Sequence, residues 1–109
     1  MKKLFFFKSG FVLLAMLPLT AFAYPIDVQK ELNGLKIDYT TYASDYDLGS
    51  ITVNNYGEIP AECAVVFRNG PESPKTRRVN LDAGKSADLS AKFNRKIIKL
   101  YISMTCKPK

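Results

Sequence analysis

The sequence predicts an all-β fold, an antiparallel β-sandwich of about seven strands. Apolar and polar residues alternate with a period of two in nearly every segment after Tyr24, which is typical of strands with one buried face. Turn-forming residues separate these segments at intervals of about ten residues, as expected for a sandwich. The turns share asparagine, aspartate, glycine or proline, and they are Asn33-Gly34, Asn55-Tyr56-Gly57, Asn69-Gly70-Pro71 and Asp82-Ala83-Gly84-Lys85.

Segment 25–32 opens the predicted fold and allows two interpretations, a short strand or one to two helical turns ended by Gly34. Each of the six later segments places its apolar side chains on one face, so each is predicted to be a strand. These segments are 35–41, 49–54, 61–68, 76–81, 86–93 and 96–107. The apolar face of the last one holds Ile98, Leu100, Ile102, Met104 and Cys106.

Residues 1–23 are predicted to be a signal peptide that is removed on export. They combine a basic start, an apolar stretch at 11–17 and an A-x-A cleavage site that ends at Ala23. An uncleaved anchor helix is the alternative, and the shortness of the apolar stretch argues against it. Cleavage after Ala23 leaves one domain, residues 24–109, in the periplasm or outside the cell.

The net charge of the whole chain is +6, from 16 basic and 10 acidic residues. Three of the basic residues, Lys2, Lys3 and Lys8, belong to the signal peptide, so the mature chain keeps 13 basic residues and a net charge of +3. This charge is too small to predict nucleic-acid binding. The mature chain also has no apolar run of the roughly 18 residues that a membrane-spanning helix needs.

The two cysteines, Cys63 and Cys106, both fall on the apolar face of a predicted strand. An even pair of cysteines in a small exported domain is expected to form a disulfide. They lie 43 positions apart (106 − 63), so a bridge would stabilise the fold by about 4 kcal/mol in the loop-closure model. Two buried free thiols, or a redox or metal site, are the alternatives, although the chain lacks both a C-x-x-C spacing and histidine.

A pattern in the middle of the chain has a known counterpart. Residues 50–61, SITVNNYGEIPA, resemble the V-x-N-x-G-x-x-P-A corner of CARDB-like domains, the Ig-like adhesion modules of bacterial surface proteins. Residues 79–86 are similar to the v-x-L-x-x-G-x-S strand and turn of the same domains. This resemblance implies a seven-stranded Ig-like sandwich, and a fold of this kind does not define a function.

Six further segments are shared features of a second group of proteins: 24–27 (YPID), 33–35 (NGL), 54–57 (NNYG), 67–72 (FRNGPE), 77–78 (RR) and 93–100 (FNRKIIKL). Through them the mature chain resembles a family of small exported bacterial proteins of unassigned role. We expect some members to carry a phosphoglycerate kinase label in error. A kinase of that type consists of two α/β lobes and is far larger than this β domain, so this domain cannot supply its activity.

The composition argues against catalysis. The chain contains no histidine, and it lacks a glycine-rich phosphate loop and a G-x-S-x-G elbow. We therefore predict that it is not an enzyme and that it binds neither a cofactor nor a metal.

Asp45 and Asp47 are the best pair of carboxylates, in a D-x-D-x-G sequence that suits the start of a calcium loop. Further acidic ligands are missing downstream, so aspartates that set a bend are the expected interpretation.

Basic residues cluster around loop 69–74 and again near the start of the last predicted strand. The first group is the predicted site for an anion or a partner, since guanidinium groups bind phosphate and carboxylate. Its members are Arg68, Lys75, Arg77 and Arg78, and the second group is Arg95, Lys96 and Lys99. If the loop joins neighbouring strands, Arg68 is expected to lie beside Arg77 or Arg78. The alternative is a solvated face whose charges aid solubility and protect edge strands.

These features predict an exported binding or interaction module whose ligand is an anionic envelope component or an acidic protein. A structural or stress-related envelope protein without a defined ligand is the alternative. A partner that co-purifies in stoichiometric amount, and is lost when the arginines are substituted, would favour the binding module.

Overall fold

A computed structural model describes residues 24–109, and the predicted signal peptide, residues 1–23, lies outside the described residues. The described part is all-β, and it includes no helix that is long and apolar enough to span a bilayer. Its seven strands are β1 (Ile26–Glu31), β2 (Ile37–Asp45), β3 (Leu48–Asn55), β4 (Ala61–Arg68), β5 (Lys75–Leu81), β6 (Ser86–Lys92) and β7 (Leu100–Pro108). The predicted fold class is therefore confirmed, and segment 25–32 is resolved as a strand.

The strands form two sheets that pack face to face. One sheet has the order β1-β7-β4-β5 and the other has the order β2-β3-β6. All neighbouring pairs are antiparallel except β1 and β7, which run parallel with Ile26 opposite Leu100. An immunoglobulin constant domain places its first, second, fifth and fourth strands in one sheet. This molecule shares the two-layer architecture and the strand number of that fold, and has its own strand order.

The core lies between the sheets, where the period-two alternation sends every second side chain inward. The central strands β4 and β7 show this most clearly, because each has a fully buried row along its inner face. Loop residues close the remaining space. The buried apolar residues are Leu35, Ile37, Ile51, Val53, Ala61, Cys63, Val65, Phe67, Leu81, Ala91, Phe93, Ile97, Leu100, Ile102, Met104 and Cys106.

Cys63 and Cys106 form a disulfide at directly opposite positions of β4 and β7. Their Cα atoms are 4.1 Å apart, and both residues are buried on the inner face. The predicted bridge is confirmed, and the described residues contain no free cysteine. The bridge joins two neighbouring strands of one sheet, so it fixes their register and does not link the two layers.

Strand β7 begins at Leu100, four residues later than the sequence predicts. The prediction that Ile98 lies on the apolar face is wrong, since this side chain is 77% exposed. Its neighbour Ile97 is buried instead, and the Ile97 amide donates a hydrogen bond to the Tyr46 carbonyl at 2.8 Å. This contact holds residues 93–99 as a loop and turns Ile98 outward.

The connections between strands fall at two ends of the sandwich. We call the upper end the one that contains residues 24–25, 46–47, 69–74 and 93–99, and the lower end the one that contains residues 32–36, 56–60 and 82–85. At the upper end the Tyr24 hydroxyl donates a hydrogen bond to the Leu48 carbonyl at 2.7 Å. Burial, reinforced by the negative charges of Asp45 and Asp47, raises the pKa of this hydroxyl to about 12.

Candidate functional site

The four basic residues predicted as one site do not come together. Arg68 and Arg78 lie on the outer face of the four-stranded sheet, and Lys75 and Arg77 are half-buried on its inner side. The register of β4 and β5 pairs Arg78 with Ala64, four residues from Arg68 along β4, which is a separation of about 13 Å. The expectation that Arg68 lies beside Arg77 or Arg78 is therefore wrong. The loop does join neighbouring strands as assumed, but the register places both arginines further along β5.

Two of the four residues make contacts within the fold. The Arg77 guanidinium donates hydrogen bonds from Nε to the Ser90 carbonyl at 3.0 Å and from Nη1 to the Thr76 carbonyl at 3.1 Å. The ammonium group of Lys75 lies 5.9 Å from the centroid of the Phe93 ring, within cation–π range. Both side chains thus hold β5 against the neighbouring strand and loop.

Arg68 belongs to the second basic group, at the upper end. It lies opposite Tyr101 in the register of β4 and β7, and both side chains are on the exposed outer face. The Lys99 ammonium is 5.1 Å from the centroid of the Tyr101 ring. We call the four cationic side chains of this region the basic rim, and its members are Arg68, Arg95, Lys96 and Lys99.

Two exposed apolar side chains lie within the basic rim. Ile98 is 77% exposed and Tyr101 is 44% exposed. They share a shallow depression of about 290 Å³ with Pro71 and with rim members. The upper end therefore presents cations next to a small apolar surface, and Asp27 of β1, which is paired with Tyr101, adds an exposed carboxylate on its other side.

The loop that carries Ile98 is firmly held. The Phe93 amide donates a hydrogen bond to the Asp47 carbonyl at 2.8 Å, and the Ile97 amide donates one to the Tyr46 carbonyl at 2.8 Å. Phe93 and Ile97 are both buried in the core. Because both flanks of the loop are anchored, little conformational entropy is left to lose when Ile98 and its neighbours bind a ligand.

Glu72 joins two loops of the upper end, residues 69–74 and residues 93–99. Its carboxylate accepts hydrogen bonds from the Asn94 amide at 2.9 Å, the Arg95 amide at 3.1 Å and the Asn69 side chain at 3.0 Å. The Asn94 amide contributes most to holding the pKa of Glu72 below its ordinary value, followed among the stabilising contacts by the Arg95 amide, the Asn69 amide and the Arg95 charge. The Glu72 carboxylate, whose negative charge acts on Arg95, is thus engaged with loop amides.

Asp45 and Asp47 have separate structural roles. The Asp45 carboxylate accepts a hydrogen bond from the Tyr46 amide at 2.7 Å, which sets the bend that the sequence predicts. The buried Asp47 accepts one from the Lys92 ammonium at 2.8 Å, and this hydrogen bond raises the pKa of Lys92. The other oxygen of Asp47, Oδ1, is buried without a hydrogen-bond partner among the described residues. Within residues 24–109, no three aspartate, glutamate or cysteine side chains lie close enough together to hold a metal ion.

Sequence reasoning missed Ile98 and Tyr101 as parts of a site. A strand pattern sends only one of two adjacent isoleucines inward, so the pair Ile97-Ile98 already signals that one of them is exposed or that the strand ends there. The lysines on either side of that pair, Lys96 and Lys99, mark the same place as a basic and apolar surface.

Compared with known protein families and with curated proteins, the chain matches no family model and no curated sequence. The basic rim is therefore interpreted through its own chemistry. Fixed cations attract anions, and the apolar surface between them gains free energy when it leaves water.

Proposed function

We propose that this protein is an exported binding module whose basic rim recognises an anionic component of the cell envelope or an acidic protein. The observation that carries the proposal is the placement of Arg68, Arg95, Lys96 and Lys99 around two exposed apolar side chains. The disulfide supports export, since such bonds persist in oxidising compartments. The mature protein is then residues 24–109, located in the periplasm or secreted.

Charge and geometry both favour an anionic ligand. Arginine presents planar pairs of donors that match phosphate or carboxylate oxygens, and lysine adds mobile point charges. Glu72 contributes one negative charge to this region while its oxygens accept hydrogen bonds from Asn94, Arg95 and Asn69, and the four cations of the basic rim outnumber it. The proposed role is binding without catalysis, in keeping with a sequence that has no histidine.

The proposal is tested by chromatography of the disulfide-bonded protein on heparin resin, with elution by a salt gradient. We expect Lys96→Ala/Lys99→Ala to elute at clearly lower salt than the wild type, because exposed charge contacts are screened by salt. The matched control is Lys36→Ala/Lys85→Ala, which removes two exposed lysines from the lower end with the same change in net charge.

Equal shifts for the two double variants would show that retention follows net charge alone, and would overturn the basic rim as the site. A wild type that flows through the resin and also fails to bind anionic vesicles would overturn anion binding altogether. That result would favour the second candidate, a structural or stress-related envelope protein without a defined ligand.

A further inference from the structure

We propose that the ligand of the basic rim is an anionic lipid, one whose phosphate gives it a net negative charge, and that the upper end docks on a surface of such lipids with Ile98 inserted. This inference rests on the proposed function, since it names the anionic component. Ile98 enters the boundary between headgroups and acyl chains, and Arg95, Lys96 and Lys99 contact the phosphates.

The first argument is the exposure of Ile98. It is the most exposed large apolar side chain of the described residues, at 77%. It projects from a loop that is anchored by the buried and hydrogen-bonded residues Phe93 and Ile97. A soluble anion such as a sugar phosphate would use the cations and leave this side chain in water. A lipid surface binds the cations and also removes Ile98 from water, because it offers acyl chains directly beneath the anionic groups.

The second argument is the order of side chains along the loop. Lysine and arginine place their charges at the ends of long apolar stems, so they reach the phosphate level while a shorter neighbour lies deeper. Arg95 and Lys96 precede Ile98, and Lys99 follows it. Tyr101 adds a ring with a polar hydroxyl, a side chain that favours the interface between water and lipid.

The third argument is the small size of the apolar surface. A stable protein interface buries about 800 Å² on each partner around a largely apolar core. The apolar part of this site consists of Ile98, Tyr101 and Pro71 around one shallow depression. A surface of this extent suits the insertion of one side chain into lipid better than the core of a protein interface.

Phosphate occurs on lipids in two chemical settings, the phosphodiester of a glycerophospholipid and the phosphomonoester of an acylated sugar. Both combine an anion with acyl chains, and that combination is the chemistry proposed here. The two sources are distinguished by vesicles of phosphatidylcholine that contain either phosphatidylglycerol or lipid A. Vesicles of phosphatidylcholine alone have no net charge and provide the reference.

The experiment is co-sedimentation of the full disulfide-bonded protein with these three kinds of vesicle. We expect the wild type to bind at least one anionic kind more than about thirtyfold more tightly than the neutral vesicles, from about fivefold for each contributing cation. Ile98→Ser should weaken this binding about tenfold and leave elution from heparin resin unchanged. Lys96→Ala/Lys99→Ala should weaken it roughly thirtyfold, from about fivefold for each cation near an anionic surface.

The matched control for Ile98 is Ile59→Ser, which removes an exposed isoleucine from the lower end and should leave vesicle binding unchanged. Thermal melting of each variant verifies that it is folded. Wild-type retention on heparin without preference for anionic vesicles, or Ile98→Ser that binds them like the wild type, would overturn the lipid inference. The proposed function would then stand, with an anionic glycan of the envelope or an acidic protein as the remaining kinds of ligand. Failure to bind both heparin and anionic vesicles would overturn the two together.

Discussion

At the scale of single residues, Asn55 organises the lower end of the sandwich. It is completely buried at the end of β3. Its side-chain amide donates hydrogen bonds to the carbonyls of Ile59 at 2.9 Å and Leu81 at 3.1 Å, and its oxygen accepts one from the Gly57 amide at 3.1 Å. One side chain thus joins the β3–β4 loop to the end of β5, which gives a physical reason for the asparagine of the V-x-N-x-G sequence.

We expect Asn55→Ala to lower the free energy of unfolding by about 2–3 kcal/mol, because it leaves the buried Leu81 carbonyl, and the partly buried Ile59 carbonyl and Gly57 amide, without their partners. Urea denaturation measures the loss. The control is Asn54→Ala, which removes an exposed hydrogen bond from the Ser86 hydroxyl at 2.7 Å and should cost less than about 1 kcal/mol. Equal losses in the two variants would contradict the central role of Asn55.

At the scale of strands and loops, two cationic side chains connect the edge strands of one sheet to those of the other. Arg77 of β5 reaches the backbone of β6 at the Ser90 carbonyl, 3.0 Å from Nε. On the opposite side, the Lys30 ammonium of β1 lies 5.4 Å from the ring centroid of Tyr39 in β2. Edge strands with free backbone groups invite pairing with other chains, and charged side chains at these edges oppose it.

The link between the two upper loops makes stability depend on pH through Glu72. The folded protein lowers the pKa of this carboxyl, so its contribution is fully present above the unfolded pKa of about 4.3 and is lost as the pH falls through the folded pKa. We expect Glu72→Gln to be less stable than the wild type at pH 7, and the difference to shrink as the pH falls below about 4.

Urea denaturation of both proteins between pH 7 and pH 3 tests this. Glu58→Gln, in the lower end, controls for the loss of one negative charge. Parallel pH profiles for Glu72→Gln and the wild type would show that the carboxylate does not contribute through its charge.

The strands could be predicted because each buries one face, and the period-two pattern records that directly. The start of β7 could not, because Ile97 and Ile98 are both apolar and the choice between them depends on a hydrogen bond to Tyr46, far away in the sequence. Segment 25–32 stayed ambiguous for a similar reason. Its strand conformation depends on pairing with β7, about seventy residues further along the chain.

The candidate site was only partly predictable. The sequence shows which residues are basic, and the second predicted group, Arg95, Lys96 and Lys99, lies together at the surface, whereas the first group is divided between the two faces of its sheet. It does not show the register of β4 and β5, which moves Arg77 and Arg78 away from Arg68. It also does not show that β7 lies next to β4, which brings Arg68 opposite Tyr101 instead.

At the scale of the whole molecule, the disulfide contributes a large share of the stability of a small domain. It closes a loop with a sequence separation of 43 between the two central strands of one sheet. We expect reduction to lower the free energy of unfolding by about 4 kcal/mol, mainly because the unfolded chain gains freedom.

Urea denaturation with and without reductant measures this effect on one and the same chain. Cys63→Ala/Cys106→Ala is the control, since it should show no response to the reductant. Identical stability of the oxidised and reduced wild type would mean that the bridge constrains the unfolded chain very little.

The strand order also determines when the larger sheet is completed. Strand β7 lies between β1 and β4, and within residues 24–109 β1 pairs with no other strand. In a chain that emerges with its N-terminus first, β1 waits unpaired and β4 lacks its second partner until the strand that ends at Pro108 arrives. Cys106 lies in that same strand, so pairing β7 with β4 places the two thiols opposite each other, and the disulfide then holds the last strand in its register.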